Sequence, residues 1–294
     1  MSSPCKSRST RASRSNGLET TPKKSPKRKT RSGGVAATVS EEAISRNNEI
    51  LFYGDSLTFG MSHTTADRYV TTWPQLIRPH LDAAKSKLKI VESALCSRTT
   101  RFDDKNYDNK TWLPQMTPHI FNGRTCLIPT LLSHSPKWLV LLIGTNDLKT
   151  SIQNVYNKEA YDKVGVEHRS NLFCAKQIAT SVCELAKEAK NFNPDIEVII
   201  LTPPPIRVTD DNLTWGFTEK AEEISYEFPK AFKAMCKKYG FHNVCPESPV
   251  DMEESDDGIH FTEPHNVIYA NAFWEKFCML DDSIPKKKRT RRRL

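Results

Sequence analysis

A serine and an aspartate–histidine pair, far apart in the sequence, are the residues whose types could support nucleophilic chemistry. Ser56 lies in the segment GDSLTFG at 54–60, and Asp257 precedes His260 by three positions. A serine hydroxyl becomes a good nucleophile when a neutral imidazole accepts its proton. A carboxylate on the other ring nitrogen orients the imidazole and stabilises its cation. The three residues therefore predict nucleophilic catalysis by a serine.

Each of these motifs also has another interpretation. Segment 54–60 could be a turn whose Asp and Ser only cap a helix. A phosphate-binding loop is disfavoured because the second glycine is not followed by Lys and Ser or Thr. The Gly-x-Ser-x-Gly elbow is absent because position 58 is threonine. His260 and His265 could form a metal pair, but the sequence offers no convincing further ligands, so we predict no metal and no other cofactor.

Two further turns could supply hydrogen-bond donors to the same site. Residues 93–100 follow a predicted strand at the right depth to offer a backbone N–H. Asn146, in the motif GTND at 144–147, could direct its side-chain amide toward the same place. Asn and Asp are also common in any turn that ends a strand. Arg98 could hold a substrate anion, although an arginine in such a turn more often belongs to an ion-paired scaffold.

These residues can act together only if the intervening chain brings them to one place. Short apolar runs predict strands at 49–53, 88–93, 138–143 and 197–202, with a weaker fifth at 241–244. Helical periodicity predicts helices at 73–85, 166–190, 218–239 and 263–280. This alternation indicates a three-layer α/β/α sandwich around a flavodoxin-like, mainly five-stranded parallel sheet. Ligands in such folds bind beyond the carboxyl ends of the strands. The motifs at 54–60, 93–100 and 144–147 lie at the carboxyl ends of the first three predicted strands.

Charge and composition divide the chain into a body and two basic tails. Residues 1–40 carry ten Lys and Arg against one Glu, and residues 285–294 carry seven with no acid, so residues 41–284 hold 26 basic and 34 acidic side chains. The tails have too few large apolar residues to offset the entropy of ordering, so we expect them to be disordered. Residues 41–284 are predicted to form one domain.

The tails and the cysteines bear on location. PKKKR at 285–289 resembles a nuclear-import signal, as does the basic cluster at 23–29. We therefore expect the nucleus, with the cytoplasm as the alternative, and contact with an importin or a polyanion through the tails. A transit peptide fits less well because the N-terminal tail lacks an amphipathic apolar face. Eight scattered cysteines indicate reduced thiols in an intracellular protein, and no apolar run approaches the ~20 residues of a membrane span.

Together, the motifs resemble those of the GDSL/SGNH hydrolase family. The matching pieces, in family order, are GDSLTFG at 54–60, the turn containing Ser97, GTND at 144–147 and DGIH at 257–260. The similarity is closest to the arylesterase/acyltransferase branch, which carries GDSLTWG, a turn ending in Arg-Thr-Thr, an Asn-Gly segment before GTND and a late DGIHF. The counterparts here are residues 98–100, 122–123 and 257–261.

The resemblance implies a serine esterase that hydrolyses, or transfers, small or medium acyl groups from small-molecule or carbohydrate esters. Ser56 would attack the carbonyl, and His260 would take its proton and return it to the leaving alcohol. Asp257 would orient His260. The oxyanion would be held by the backbone N–H groups of Ser56 and Ser97 and by the side chain of Asn146.

The candidate residues of the substrate pocket are Asp55, Phe59 and Arg98. The family usually has glycine where this chain has Ser97, but any residue except proline keeps the N–H. Phe59 replaces the tryptophan of the branch, which bears on the shape of the acyl pocket and on acyl transfer. The stretch 101–121 is longer than usual and could reshape the mouth of the pocket.

Two other classes of function remain open from the sequence. The basic tails could belong to a nuclear, nucleic-acid-associated protein, although the acidic body shows no recognition motif. The domain could also be a scaffold with this fold that has lost catalysis. The intact set of Ser56, Asn146, Asp257 and His260 argues against a scaffold.

Overall fold

Five parallel strands form the centre of the structure, a computed structural model that describes residues 48–65, 67–104, 121–164, 173–247 and 250–285. The predictions for the tails at 1–40 and 285–294 fall outside these residues, except for Pro285. Most of the long stretch at 101–121 also lies outside them. Among the described residues, no helix has the length and apolar character needed to cross a bilayer.

The strands are confirmed to within one residue at each end. They are β1 (Glu49–Gly54), β2 (Lys89–Ala94), β3 (Trp138–Leu142), β4 (Glu197–Leu201) and β5 (His242–Val244). Their order in the sheet is β2-β1-β3-β4-β5, and every neighbouring pair is parallel. The chain reverses its direction of winding between β1 and β3. In open α/β sheets, this switch point opens the crevice that binds ligands.

Alternate side chains of the strands enter two separate cores. On β1, Leu51 and Tyr53 belong to one core, and Ile50 and Phe52 belong to the other. Because side chains alternate across a strand, the two cores lie on opposite faces of the sheet. Helices cover both faces, so the predicted three-layer α/β/α sandwich is confirmed.

The helices, in chain order, are α1 (Ser56–Phe59), α2 (Arg78–Ala83), α3 (Gly123–His134), α4 (Thr150–Val164), α5 (Ala175–Phe192), α6 (Asp210–Thr214), α7 (Glu219–Ser225), α8 (Phe228–Tyr239) and α9 (Glu263–Leu280). The buried residues of α3, α4, α5, α7 and α8 belong to the core that contains Leu51. Those of α1, α2 and α9 belong largely to the core that contains Phe52. Of the predicted helices, the one at 263–280 is confirmed at both ends.

The other helix predictions need correction. The helix predicted at 73–85 is a 3-10 turn (Gln75–Ile77) followed by the short α2. The helix predicted at 218–239 is two helices, because Pro229 in the first turn of α8 lacks the N–H that a continuous helix would use. The prediction at 166–190 is met only from Ala175 onward, and residues 165–172 lie outside the described part of the chain. Helix α3 was missed because Pro129 lies inside it.

Candidate active site

Ser56 lies at the end of the central strand β1. The Oδ1 atom of Asp55 accepts a hydrogen bond from the backbone N–H of Leu57 at 3.0 Å and so caps α1, whose first residue is Ser56. A side chain at Gly54 would overlap the carbonyl oxygen of Leu142 on β3. Glycine at this position therefore lets the turn pack closely against β3. The turn holds Ser56 at the carboxyl edge of the sheet.

Ser56, His260 and Asp257 lie in one hydrogen-bonded line. The Nε2 atom of His260 is 2.9 Å from the Oγ atom of Ser56, although 204 residues separate them in the chain. The Nδ1 atom of His260 is 2.5 Å from the Oδ2 atom of Asp257. All three side chains are buried. This is the arrangement in which an imidazole can accept the serine proton while a carboxylate stabilises the resulting cation.

The Asp257 carboxylate is held by several donors besides His260. Its Oδ1 atom accepts the backbone N–H groups of Ile259 and His260, each at 2.9 Å, and the hydroxyl of Ser255 at 3.1 Å. Burial acts to raise the pKa of Asp257, but the contact with His260 and the two backbone donors outweigh it and lower that pKa below its ordinary value. Asp257 is therefore ionised at neutral pH.

The two remaining oxyanion candidates lie on neighbouring loops. Asn146 is in a 3-10 turn (Thr145–Leu148) directly after β3, and its Nδ2 atom donates to the carbonyl of Arg98 at 3.2 Å. An amide NH2 carries two hydrogens, so the second can serve a ligand. Ser97 has a left-handed backbone with φ of 64°. This conformation is uncommon for a residue other than glycine, which accounts for the glycine usual at this position in the family.

Asp147 fixes the loop that contains Ser97, a role that was not predicted from the sequence. Its carboxylate accepts the backbone N–H of Thr100 at 2.9 Å, the hydroxyl of Thr100 at 2.5 Å and the hydroxyl of Tyr156 at 2.8 Å. Burial raises the pKa of Asp147, and these hydrogen bonds oppose the rise. Asn146 and Asp147 of GTND thus both bind the loop at 97–100. The only signal in the sequence is that Asp147 follows the candidate Asn146.

The pocket role predicted for Arg98 is corrected to a scaffold role. The Nη1 atom of Arg98 donates to the carbonyls of Gly54, at 3.0 Å, and Ser93, at 2.5 Å. The guanidinium lies over the ring of Tyr53, 4.2 Å from its centroid. Arg98 is buried and joins the ends of β1 and β2. Its charge therefore stabilises the turns that carry the site.

Asp55 also differs from its prediction. It is fully buried and caps α1, so it does not line a pocket. Burial raises the pKa of Asp55 to about 7; the charge of Asp147 adds to the rise, and the N–H of Leu57 and the charge of Arg98 oppose it.

Phe59 is half-buried at the end of α1, and its pocket role stays a prediction. The guanidinium of Arg68 lies 5.1 Å from the centroid of its ring, and the Nε atom of Arg68 donates to the Phe59 carbonyl at 2.8 Å. Part of the ring is therefore covered by a charged side chain.

Two side chains near the site were not predicted. The ring centroid of Trp215 lies 6.2 Å from that of His260. The ammonium of the buried Lys149 lies 3.4 Å from the Oγ atom of Ser97 and 3.3 Å from a carboxylate oxygen of Asp104. Lys149 follows GTND by two positions, which is a weak signal. Trp215 lies in a polar stretch between predicted elements, where the sequence has no signal.

The alternative metal pair of His260 and His265 is not formed. Both ring nitrogens of His260 contact Ser56 and Asp257, as described above. The Nδ1 atom of His265 instead accepts the N–H of Thr262 at 3.3 Å, at the start of α9. Within the described residues, no group of three or more His, Cys, Asp or Glu side chains could hold a metal ion.

The fold and the site are those of a serine hydrolase, in which the candidate nucleophile follows the first strand and the candidate histidine precedes the last helix. A model of the GDSL-like lipase/acylhydrolase family matches residues 52–264. The chain belongs to that family, as the motifs predicted, and it is a serine ester hydrolase.

Solved structures support the fold. A carbohydrate acetylesterase of Sinorhizobium meliloti is 24% identical, with a TM-score of 0.62 over 80% of this chain and 100% of that chain. An aryl esterase of M. smegmatis is 20% identical, with a TM-score of 0.61 and the same two coverages. No curated protein sequence matches the chain.

Proposed function

We propose that the protein hydrolyses esters of small or medium acyl groups through an acyl-serine intermediate, with Ser56 as the nucleophile. The observation that carries the proposal is the line of contacts from Ser56 through His260 to Asp257, at 2.9 and 2.5 Å. It matters which ring nitrogen of His260 faces which partner, because the nitrogen that faces the serine must be free to accept a proton. Asp257 binds the opposite nitrogen and selects that tautomer.

The reaction has two halves. In the first, His260 takes the proton of Ser56 as the Oγ atom bonds to the ester carbon, and then gives this proton to the departing alkoxide as the ester C–O bond breaks. In the second, His260 takes a proton from water as the water oxygen attacks the acyl carbon. The bond between that carbon and the Oγ atom of Ser56 then breaks, the proton returns to the Oγ atom, and the carboxylic acid leaves. The ionised Asp257 stabilises the imidazolium in both halves. An alcohol in place of water would give acyl transfer.

The negative oxygen of each tetrahedral intermediate would be held by three donors. They are the backbone N–H groups of Ser56 and Ser97 and the Nδ2 atom of Asn146. Donors fixed before the reaction are effective because they need no reorganisation when charge develops. The hydrogen bonds from Thr100 to Asp147 and from Asn146 to Arg98 hold the loop at 97–100, which carries the N–H of Ser97, in place.

The proposed substrates are acetate and other short acyl esters of aryl or carbohydrate alcohols. The names of the similar structures, an aryl esterase and a carbohydrate acetylesterase, support this range.

Covalent labelling tests the proposal. A fluorophosphonate probe should label the wild-type chain once, and peptide mapping should place the label on Ser56. The wild type should also hydrolyse p-nitrophenyl acetate and butyrate, and the label should abolish this turnover. A label on another residue, or unlabelled protein without turnover, would contradict the proposal.

Replacing Asn146 with alanine should lower kcat by about 10²–10³-fold and leave measurable activity, because one of three oxyanion donors is lost. KM should change little, since the donor binds the developing charge more strongly than the neutral carbonyl. Steady-state kinetics on p-nitrophenyl acetate, with a thermal melt to check folding, measure the effect. A folded Asn146→Ala variant with wild-type kcat would remove Asn146 from the oxyanion site.

A further inference from the structure

Residues 212–217, here called the bridging segment, join the two sides of the site. At one end, the Nδ2 atom of the buried Asn212 donates to the carbonyl of Asp257 at 2.7 Å. At the other end, the carbonyl of Gly216 accepts both the N–H and the hydroxyl of Thr150, at 2.9 and 3.1 Å. The segment is thus bonded to the loop of the catalytic pair and to the chain that follows GTND.

The anchor at the first end is tight. The N–H of Arg207 donates to the carbonyl of Gly258 at 2.8 Å, and the Nδ2 atom of Asn212 also donates to the carbonyl of Arg207 at 2.7 Å. Gly258 has a φ of 69°, and any side chain there would overlap the carbonyl oxygen of Arg207. Glycine is required at this position for both reasons. The bridging segment is therefore fixed relative to His260, which follows Gly258 by two residues.

Trp215 lies in this segment beside the catalytic base. Trp215 is 43% exposed, and the centroid of its ring lies 6.2 Å from that of His260, with an angle of 56° between the ring planes. Because this large apolar ring is nearly half exposed, part of its surface is accessible to a ligand. Its backbone is already ordered by the bonds of Asn212 and Gly216, so a ligand that covers the ring would pay little ordering entropy. These properties are typical of a preformed binding surface.

The position of Trp215 identifies the part of the substrate that it contacts. The leaving alcohol oxygen must receive its proton from the Nε2 atom of His260, so the alcohol group lies next to that ring. The oxyanion lies toward Ser97 and Asn146 instead. Phe217, the other aromatic residue of the bridging segment, is buried in the core. Trp215 is therefore the aromatic residue of the segment that is both exposed and beside the base.

We infer that Trp215 is the platform of an alcohol subsite and that the alcohol it receives is ring-shaped, either an aryl group or a pyranose. A flat ring stacked on the indole buries far more of its surface than a short linear alcohol can. This inference rests on the proposed function, because it uses His260 as the donor of the leaving-group proton. It adds a residue that the motifs of the family do not contain, and it assigns to that residue the binding of the aryl and carbohydrate alcohols already proposed.

Three acetate esters that share the acyl group test the inference: phenyl acetate, a monoacetylated methyl xyloside and ethyl acetate. For each substrate, kcat/KM of Trp215→Ala is divided by that of the wild type, which cancels differences in intrinsic reactivity. The ratio should fall about 3- to 10-fold for a ring ester and stay within about twofold of unity for ethyl acetate. Trp215→Phe should recover most of the loss on phenyl acetate.

Leu213→Ala is the matched control, because Leu213 lies in the same segment and is 52% exposed. Its ratios should be the same for all three esters. A loss in Trp215→Ala confined to phenyl acetate identifies an aryl alcohol, and a loss confined to the xyloside identifies a sugar; either supports the platform. Equal ratios of the Trp215→Ala and wild-type kcat/KM values for the three esters would overturn the inference but not the proposed function. Absence of any Ser56-dependent turnover in the wild type would overturn the proposed function and the inference with it.

Discussion

Ser56→Ala is expected to lower kcat by up to about 10⁶-fold, because removal of the nucleophile from a cooperative serine–histidine–aspartate unit removes nearly the whole contribution of that unit. Hydrolysis of p-nitrophenyl acetate, measured at high enzyme concentration, checks the rate. Labelling by the fluorophosphonate probe should disappear in the same variant. The loss of one hydroxyl leaves no cavity of consequence, so the melting temperature should stay close to that of the wild type.

Ser62→Ala provides the matched control for this experiment. Ser62 is buried a few residues after Ser56, and its hydroxyl contacts Thr64 at 3.0 Å. The variant should retain wild-type labelling and turnover. If Ser56→Ala stayed within an order of magnitude of the wild type while folded, Ser56 would not be the nucleophile, and the residual activity would belong to another site.

The convergence of Ser56 with His260 could be predicted because two independent patterns agree. Buried parallel strands are continuous apolar runs, so β1 and β3 are visible in the sequence to within one residue. In a parallel sheet, all carboxyl ends meet at one edge, so motifs that follow different strands are brought together by the topology. The position of β1 between β2 and β3 then opens the crevice beside Ser56.

The contacts behind the site could not be predicted in the same way. The charge of Arg98 suggests either an anion-binding role or an ion-paired scaffold role. Its actual position, over the ring of Tyr53 and bonded to two carbonyls, depends on the distance between the ends of two strands. The bond from Asn212 to Asp257 joins residues 45 positions apart in stretches without regular periodicity. Trp215 gains its position from that bond, so no local pattern indicates it.

The helix predictions were wrong at two prolines, because proline is well tolerated in the first turn of a helix but is unfavourable inside one. Pro229 lies in the first turn of α8, where a missing N–H costs nothing, and the periodicity on both sides masked the break. Pro129 lies inside α3, where the same property argues against a helix, yet the helix packs Leu127 and Leu131 into the core. Burial of these side chains outweighs the loss of one backbone hydrogen bond. Packing of this kind depends on the whole fold.

His260→Ala is expected to lower kcat about as far as Ser56→Ala, up to about 10⁶-fold, because a serine without its base keeps its proton. Hydrolysis of p-nitrophenyl acetate at high enzyme concentration measures the loss, and a thermal melt checks that the variant is folded.

His63→Ala separates this effect from that of a neighbouring histidine. The Nδ1 atom of His63 accepts the N–H of Asp256, the residue before Asp257, at 3.2 Å, so His63 also contacts the catalytic loop. If His260 is the base, His63→Ala keeps most of the rate. Turnover near that of the wild type in a folded His260→Ala variant would contradict the role of His260. A rate that is lost with His260 and kept without His63 would assign the role of base to the imidazole that faces Ser56.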